Sequence, residues 1–293
     1  MIFIPEKCGL CGGAKRALNL AYATIENNKQ NRVVLYKELL HNPYIMEKCM
    51  ALGCVCIDDF NDIKEGDIVI VRAHGETKEF FEKINDLGVR CVDGTCPTVK
   101  NVEKLIHEAY QVGEKIVIVG KKEHPEVKSS NGWCENTANI ISSIEEAHEF
   151  YFENDTTYHI IAQTTFNSNI VEEIYAILEG KGKKEKLIFH DTVCKAQNSM
   201  HDEAIKMLEK IDILFIVGGK DSSNTKAMFT KCVEKGQVDC YHVNSVSEFE
   251  ILLKSNDSLL KYKDYGIAGG ASTTYEEIVE CKMKLEVMLN NIV

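Results

Sequence analysis

Short apolar runs alternate with longer amphipathic segments along most of the chain. The short runs suit buried strands, and they occupy residues 33–36, 55–57, 67–71, 89–92, 116–119, 158–162, 187–189, 213–217, 239–243 and 265–268. Between them, apolar side chains recur at helical spacing over residues 14–27, 77–85, 98–112, 168–178, 196–210 and 275–289. Strands that alternate with helices predict mostly parallel sheets in an α/β fold.

The pattern repeats three times, and each repeat begins with a cysteine that opens a helical segment. The distances from these cysteines to a following polar loop are similar: Cys11 to His41 (30 residues), Cys96 to His124 (28) and Cys194 to Ser222 (28). Internal repeats of this kind indicate one architecture used several times. We therefore predict three pseudo-repeated α/β domains, at residues 1–95, 96–193 and 194–293.

Polar side chains collect where the predicted strands end, and ligands of parallel sheets bind at that edge. The hydrogen-bonding residues there are His41, His74, His124, Thr164, Thr165, Ser222, Ser223, Asn224 and Ser272. Such donors suit the oxygens of a diphosphate, helped by helix N-termini. Few basic residues accompany them, so we expect a cage of neutral donors around a central cavity. Residues 222–224 also suit a simple helix N-cap.

The three helix-opening cysteines, Cys11, Cys96 and Cys194, are candidate metal ligands. A thiol at a helix N-terminus lies in the positive end of the helix dipole, which favours the thiolate. We expect the three to bind one iron–sulfur cluster and to leave one iron open for substrate. Buried apolar thiols and a zinc site are the alternatives, although structural zinc usually has four ligands in two close pairs.

Cys8 lies three residues before Cys11 and completes a CxxC motif. This pair could be a redox dithiol, half of a zinc site or an alternative cluster ligand. We favour Cys11 as the ligand and Cys8 as its neighbour. The remaining cysteines lie mostly in helix or strand patterns, where core packing explains them.

Glu126 follows the candidate donor His124 by two residues. Beside a buried anion its pKa would be raised, so that it could hold a proton at neutral pH and act as a general acid. Thr164 could relay that proton. The alternative is a solvated surface carboxylate, as for most glutamates.

Composition narrows the class of protein. The formal net charge of −11 over 293 residues argues against nucleic-acid binding, which needs basic surface. We expect neither a signal peptide nor a membrane span, because the first residues are interrupted by Pro5 and Glu6 and no apolar run approaches ~20 residues. Twelve cysteines then favour the reducing cytoplasm.

The motifs together resemble the IspH or LytB family of 4-hydroxy-3-methylbut-2-enyl diphosphate reductases, in family order and over nearly the full length. The matching stretches are Cys11-Gly12-Gly13 with Arg16-Ala17, His41-Asn42, Ala73-His74-Gly75, Asp93-Gly94-Thr95-Cys96-Pro97, His124-Pro125-Glu126-Val127, Gln163-Thr164-Thr165, Cys194-Lys195-Ala196, Ser222-Ser223-Asn224 and Gly270-Ala271-Ser272. The resemblance implies a trefoil of three α/β domains around a 4Fe-4S cluster. It also implies reductive removal of the allylic hydroxyl, which gives isopentenyl and dimethylallyl diphosphates.

Roles follow from the same resemblance. The cluster ligands would be Cys11, Cys96 and Cys194, and the proton-delivering group would be Glu126, with Thr164 and His124 beside it. The allylic diphosphate would be held by His41, His74, His124, Thr164, Ser222, Ser223, Asn224 and Ser272. Ferredoxin or flavodoxin would supply single electrons, and we expect a monomer.

The sequence departs from the family pattern at a few flanking positions. Cys8 stands where the family commonly has Arg. After Cys194 the family usually has Thr and then Arg-Gln, and the matching positions here are Gln197, Met200 and His201. A usual Pro near Thr274 is also replaced. These departures leave two alternatives: a divergent paralogue that reduces another allylic alcohol, and a non-catalytic iron–sulfur redox protein with Cys8 as the fourth ligand.

Overall fold

The computed structural model describes residues 1–291, and within this range the chain forms 12 strands and 11 α-helices. The strands are β1 (Ile2–Phe3), β2 (Val33–Tyr36), β3 (Val55–Ile57), β4 (Ile68–Val71), β5 (Arg90–Asp93), β6 (Lys115–Val119), β7 (Asn139–Ile141), β8 (Tyr158–Ala162), β9 (Leu187–His190), β10 (Ile213–Val217), β11 (Asp239–Val243) and β12 (Tyr265–Gly269).

The helices lie between these strands and after the last of them. They are α1 (Gly12–Asn27), α2 (Pro43–Ala51), α3 (Lys78–Asp86), α4 (Pro97–Gln111), α5 (Pro125–Asn131), α6 (Ile144–Glu149), α7 (Ser168–Lys181), α8 (Lys195–Met207), α9 (Ser223–Lys235), α10 (Val246–Ser255) and α11 (Tyr275–Asn290). Short 3-10 turns occupy Phe60–Asp62, Gly132–Cys134, Lys184–Lys186, Leu208–Lys210 and Asp257–Leu260. None of the helices in residues 1–291 is both long and apolar enough to cross a membrane.

The strands form three four-stranded sheets, ordered β3-β2-β4-β5, β7-β6-β8-β9 and β1-β12-β10-β11. Every strand pair in these sheets is parallel. The prediction of an α/β fold with three repeated parallel sheets is therefore confirmed. In each sheet the strand that leads into a candidate ligand cysteine lies at an edge: β5 before Cys96, β9 before Cys194 and β1 before Cys11.

The described chain forms two compact units. The smaller unit consists of residues 1–15, 40–48 and those from Lys195 onward, and it holds the sheet β1-β12-β10-β11. On one face of this sheet, Phe215 packs with Phe249 of α10 and Ile278 of α11. On the other face, Ile216 packs among side chains of α8 and α9. Both faces are buried, which explains why β10 reads as a continuous apolar run.

The larger unit consists of residues 16–39 and 49–194 and holds the other two sheets. Val69 and Val71 of β4 pack with Phe80 of α3. Both faces of the sheet β7-β6-β8-β9 are covered, one by α4 and α5 and the other by α6 and α7. Buried aliphatic side chains on both faces again produce the apolar runs seen in the sequence.

Strand β1 pairs with β12, so the first residues of the chain belong to the sheet that contains the last strands. Of the strands in the described residues, β2 to β5 fall within predicted domain 1–95, β6 to β9 within 96–193 and β10 to β12 within 194–293. The division into these three ranges remains a prediction. Strand β7 and helices α5, α6 and α10 were not predicted. Strand β7, α5 and α6 have at most seven residues each, too few to show a clear hydrophobic pattern, whereas α10 has ten.

Replacing Gly94 by Ala should destabilise the larger unit. Gly94 N–H donates to the carbonyl oxygen of Val71 at 3.0 Å, and a Cβ at this position would lie 2.2 Å from the same oxygen. Relief of this clash requires the backbone to move, so we expect the free energy of unfolding to fall by about 2–3 kcal/mol. Urea unfolding followed by circular dichroism measures the change.

Gly180→Ala provides the matched control, because Gly180 lies inside α7 and no atom is within 4 Å of its added Cβ. This substitution should leave stability unchanged or raise it by about 0.5–1 kcal/mol. Equal stability of the two variants would contradict the packing described around Gly94.

Candidate active site

The three candidate ligand cysteines are fixed by the same hydrogen bond in three different sheets. The backbone N–H of Cys96 donates to the carbonyl of Ala73 at 2.9 Å, that of Cys194 to Thr164 at 2.8 Å and that of Cys11 to Ala271 at 3.1 Å. Each acceptor lies two residues beyond the end of the strand next to the edge, namely β4, β8 and β12. The repeat inferred from sequence is therefore present at the level of single hydrogen bonds.

Each of these cysteines directly precedes a helix and is half-buried. Cys96 is the N-cap residue of α4, and the Sγ of Cys11 accepts a hydrogen bond from the N–H of Ala14 at 3.4 Å. Donation from backbone amides and the positive end of a helix both stabilise a thiolate. These positions therefore suit sulfur ligands of a metal centre.

The other cysteines have a different environment. None of the 12, all of which lie in the described residues, forms a disulfide. Burial raises the pKa of Cys91 to about 11 and the pKa values of Cys232 and Cys281 to about 12. A thiol with such a pKa stays protonated at neutral pH and packs as a small apolar group.

Cys8 and Cys11 lie on opposite faces of the smaller unit's sheet. Cys8 packs with the cluster that includes Phe215, whereas Cys11 packs with the cluster that includes Ile216. Burial raises the pKa of Cys8 to about 11. The positive φ of 89° at Gly9 helps the chain to turn between the two cysteines. The arrangement does not support a CxxC dithiol or a pair of ligands to one metal.

In the larger unit, Glu126 and Thr164 form a buried pair. The carboxyl of Glu126 is 1% exposed and accepts two hydrogen bonds, from Thr164 N–H at 2.5 Å and from Thr164 Oγ1 at 2.8 Å. The carbonyl of Thr164 in turn accepts the N–H of Cys194. A titratable acid is thus connected through one residue to a candidate cluster ligand.

Burial is the main cause of the unusual pKa of Glu126. Removal of the carboxyl from water raises its pKa to about 7, although the two hydrogen bonds from Thr164 act in the opposite direction. Near neutral pH the group is therefore divided between its acid and base forms, as proton transfer to a substrate requires. The alternative interpretation of Glu126 as a solvated surface residue is excluded by its burial.

His74 and His124 meet edge to face, with ring centroids 5.5 Å apart. His124 is the N-cap of α5, and its Nδ1 accepts the N–H of Glu126 at 3.2 Å. This hydrogen bond requires an unprotonated Nδ1, so a neutral ring carries its hydrogen on Nε2. The larger unit thus brings together His74, His124, Glu126 and Thr164, four residues whose proximity was predicted from sequence.

In the smaller unit, the loops after β10 and β12 meet at their polar residues. Ser222 is the N-cap of α9, with its Oγ accepting from Thr225 N–H at 3.3 Å, and Ser272 Oγ donates to Ser222 Oγ at 3.3 Å. Ser223 is the first residue of α9. A Cβ on Gly219 would lie 2.4 Å from the carbonyl oxygen of His41, so the His41 loop also lies against this group. The structure therefore confirms that Ser222 is a helix N-cap, and the role of residues 222–224 in binding a diphosphate stays a prediction.

Asn224 is buried beside His201, one of the positions at which the sequence departs from the family pattern. The Nε2 of His201 lies 2.9 Å from the Oδ1 of Asn224. The Nδ2 of Asn224 is buried and has no hydrogen-bond partner in the described residues. A buried amide donor without a partner is costly, and an anion oxygen is a group that would satisfy it.

Asn42 contacts the candidate site residue Ser272, a role that the sequence did not reveal. Its amide is 2% exposed and donates to the carbonyl of Ser272 and to the Oε2 of Glu277, both at 2.8 Å. Glu277 also accepts the N–H and the hydroxyl of Thr274, which completes a capping box for α11. Proline at position 274 would lack this N–H, so the departure at Thr274 preserves a helix cap.

Cys11, Cys96 and Cys194 suit an iron–sulfur cluster because all three offer sulfur as the ligand atom. In residues 1–291, no three side chains of the His, Cys, Asp and Glu types are grouped tightly enough to hold a single metal ion. An iron–sulfur cluster makes a different demand, because its thiolates bind different irons and are spaced by the cluster itself. Three half-buried thiols at helix N-termini suit that requirement better than they suit zinc.

The family model described as "LytB protein" matches residues 2–286 of this chain. The 4-hydroxy-3-methylbut-2-enyl diphosphate reductase of Caldanaerobacter subterraneus subsp. tengcongensis is 36% identical over 286 residues, which cover 95% of each chain. The enzyme of the same name from Clostridioides difficile is 32% identical over 283 residues, covering 95% of this chain and 97% of the relative.

Two solved structures have a similar fold. One is the E-1-hydroxy-2-methyl-but-2-enyl-4-diphosphate reductase from Plasmodium falciparum, with a TM-score of 0.84, 22% identity, and coverage of 96% of this chain and 86% of that chain. The other is (E)-4-hydroxy-3-methyl-but-2-enyl diphosphate reductase, described as the terminal enzyme of the non-mevalonate pathway. Its TM-score is 0.70, its identity is 29%, and the coverage is 98% of this chain and 99% of that chain.

The raised pKa of Glu126 makes the stability of the protein depend on pH. The pKa is about 7 in the folded state and 4.5 for the unperturbed group, so the folded state prefers the protonated acid. Its contribution to stability is complete below pH 4.5 and is lost as the pH rises through 7. Between pH 4.5 and pH 7, the free energy of unfolding of wild type should therefore fall by about 3 kcal/mol relative to that of Glu126→Gln.

Urea unfolding of both proteins at several pH values from 4.5 to 8 measures this difference. Glu172→Gln, which alters an exposed carboxyl on α7, should follow wild type at every pH. A constant difference between wild type and Glu126→Gln would contradict the raised pKa.

Proposed function

The chain belongs to the LytB protein family, and we propose on this premise that it is a 4-hydroxy-3-methylbut-2-enyl diphosphate reductase of the non-mevalonate pathway. The resemblance inferred from the sequence motifs is confirmed by the family match. The structural observation that carries the proposal is the single hydrogen bond repeated at Cys11, Cys96 and Cys194. It supports three equivalent sulfur ligands on three equivalent sheets.

The reaction removes an allylic hydroxyl and replaces it with hydrogen. Its C–O bond breaks, the oxygen leaves as water, and a C–H bond forms at one end of the allyl group, which gives isopentenyl or dimethylallyl diphosphate. The overall change consumes two electrons and two protons. The protein therefore needs a one-electron centre, an acid and a site for the diphosphate.

Cys11, Cys96 and Cys194 would hold a 4Fe-4S cluster. When bound, such a cluster supplies the electrons one at a time. Cys91, Cys232 and Cys281 are unsuited to this role because burial raises their pKa values. Cys8 is unsuited because burial also raises its pKa and because its thiol lies on the other face of the sheet. The non-catalytic alternative with Cys8 as a fourth ligand has no support in this geometry.

The diphosphate would be bound by neutral donors. The candidates in the smaller unit are His41, Ser222, Ser223, Asn224 and Ser272, and those in the larger unit are His74, His124 and Thr164. The unsatisfied Nδ2 of Asn224 supports this role, as does the position of Ser222 and Ser223 at the start of α9. Backbone N–H groups at a helix start favour phosphate oxygens.

Glu126 would deliver protons. Its pKa of about 7 lets it donate at neutral pH and be recharged afterwards. The hydroxyl of Thr164 shares a hydrogen bond with this carboxyl, so it can pass a proton between Glu126 and a bound substrate. His124 holds the N-terminal turn of α5 and thereby orients Glu126.

We propose a ferredoxin or flavodoxin as the electron donor, because the chemistry consumes single electrons. We further propose a monomer in the cytoplasm. The reducing compartment is supported by 12 thiols without a disulfide in the described residues.

Removal of any one ligand should strip the cluster. Cys11→Ala, Cys96→Ala and Cys194→Ala, purified without oxygen, should each contain less than about a tenth of the wild-type iron, since two thiolates hold a cluster poorly. Iron analysis and the visible absorption spectrum measure this. Cys8→Ala is the matched control and should retain its iron, whereas its loss of iron would make Cys8 a ligand.

Glu126→Gln should keep the cluster and lose turnover. The amide preserves the size of the side chain but has no acidic proton, so kcat should fall by about 10²–10⁴-fold. Steady-state assays with a reduced one-electron donor measure kcat, and the iron content verifies that the cluster is intact. Near-normal turnover would remove Glu126 from the mechanism.

A further inference from the structure

A second buried acid, Glu103, lies behind the candidate active site of the larger unit. It belongs to α4, two helical turns after Cys96, and is 4% exposed. The hydroxyl of Ser129 donates to its Oε1 at 2.8 Å. The buried Asp67 and Glu76 of the same unit pair with Arg32 and Arg72. Glu103 and Glu126 have no such ion pair within the described residues and require an explanation, because burial of an acid without a cationic partner is unfavourable.

Glu103 is packed directly against the loop that carries His74. A Cβ on Gly75 would lie 2.2 Å from the Oε1 of Glu103 and 2.8 Å from the Oγ of Ser129. Gly75 has a φ of 78°, so the loop depends on glycine both for its conformation and for the space that Glu103 and Ser129 occupy. The side chain of Thr95, which precedes Cys96, contacts the same point.

Helix α5 connects Glu103 to Glu126. Glu126, Ser129 and Ser130 occupy positions i, i+3 and i+4 of this helix, and all three are at most 2% exposed. Residues with this spacing lie on one helix face, with Cβ atoms about 5–6 Å apart. The Ser129 hydroxyl that binds Glu103 therefore lies one turn from Glu126.

The charges around Glu103 favour its protonated form. Asp93 on β5 and Glu126 on α5 add to the effect of burial, and the Ser129 hydrogen bond and Lys100 oppose it, with a resulting pKa of about 8. Asp93 forms an ion pair with Lys100, and the raising effect of Asp93 on the pKa of Glu103 exceeds the lowering effect of Lys100. At neutral pH Glu103 is therefore mostly protonated. It lies beside a candidate site whose proposed reaction consumes two protons.

We propose that Glu103 is a proton store that recharges Glu126 through the hydroxyl of Ser129. The Ser129 hydroxyl, which donates to Oε1 of Glu103 in the structure, turns towards Glu126 for this step. Its oxygen takes the proton from the Glu103 carboxyl, whose O–H bond breaks, and its own proton passes to the Glu126 carboxylate. Glu103 becomes a carboxylate and is protonated again from solvent, so no redox partner is required. In this scheme Glu103 does not contact the substrate. It acts only through Glu126, to which it supplies a proton. The inference rests on the proposed reductase function.

The experiment compares kcat and KM from pH 6 to 9 for wild type, Glu103→Gln and Ser129→Ala, each with its iron content. Glu103→Gln should keep its iron and KM, while its kcat relative to wild type should fall about tenfold more at pH 8 than at pH 6. Ser129→Ala should lower kcat about tenfold throughout this range and leave KM unchanged.

Two matched controls separate this role from a structural one. Glu108→Gln changes an exposed carboxyl on the same helix, and Ser130→Ala removes a hydroxyl that is as buried as that of Ser129 but has no hydrogen-bond partner in the described residues. Both should match wild type in kcat within about twofold. A Glu103→Gln or Ser129→Ala profile equal to these controls would overturn the proposal.

Infrared difference spectra of wild type against Glu103→Gln provide a readout that needs no turnover. A protonated-carboxyl band should be present at pH 7 and disappear with a midpoint near pH 8, and its absence at pH 7 would overturn the proposal. If wild type itself fails to reduce the substrate, the proposed function fails and the relay with it, whatever the band shows. A third outcome contradicts the relay alone: the carboxyl band is present and wild type turns over normally, but the pH profiles of kcat for Glu103→Gln and Ser129→Ala equal that of wild type.

Discussion

Parallel strand pairing in register is the constraint on which the candidate site depends. Val71 pairs with Asp93, Val119 with Ala162, and Val217 with Gly269. Neighbouring parallel strands therefore end together, and the loops that follow them leave the sheet at the same edge. Cys96 and Cys194 closely follow the edge strands β5 and β9, so each can hydrogen-bond to the loop after the adjacent strand. Cys11 lies eight residues after β1 and makes the equivalent hydrogen bond to the loop after β12.

Burial accounts for the unusual titration of two acids in the larger unit. Glu126 lies in the first turn of α5 and Glu103 lies two turns into α4, and both carboxyls are removed from water. Thr164 offers two hydrogen bonds to Glu126, and Ser129 offers one to Glu103. These bonds lower the pKa values of the two acids, but desolvation exceeds them. The chain carries a net charge of −11, so the acidity at this edge is set locally by burial and hydrogen bonds.

Much of the fold could be predicted from sequence, because both faces of each sheet are buried and central strands such as β10 appear as continuous apolar runs. The candidate site residues at the strand ends could also be predicted, since parallel strands bring their carboxyl ends to one edge of the sheet. Strand β1 could not be assigned to its sheet, because two residues carry no periodicity and its partner β12 lies more than 260 residues later. Glu103 was also missed, since a glutamate in an amphipathic helix is exposed by default and its partner Ser129 lies on another helix.

Electron and product counting on anaerobically purified protein tests the central claim most directly. The protein is mixed with 4-hydroxy-3-methylbut-2-enyl diphosphate and a reduced one-electron donor, and iron is measured on the same sample. The account predicts isopentenyl and dimethylallyl diphosphates together, with two donor molecules oxidised for each product molecule. Protein that retains its cluster but oxidises no donor and forms neither product would contradict it.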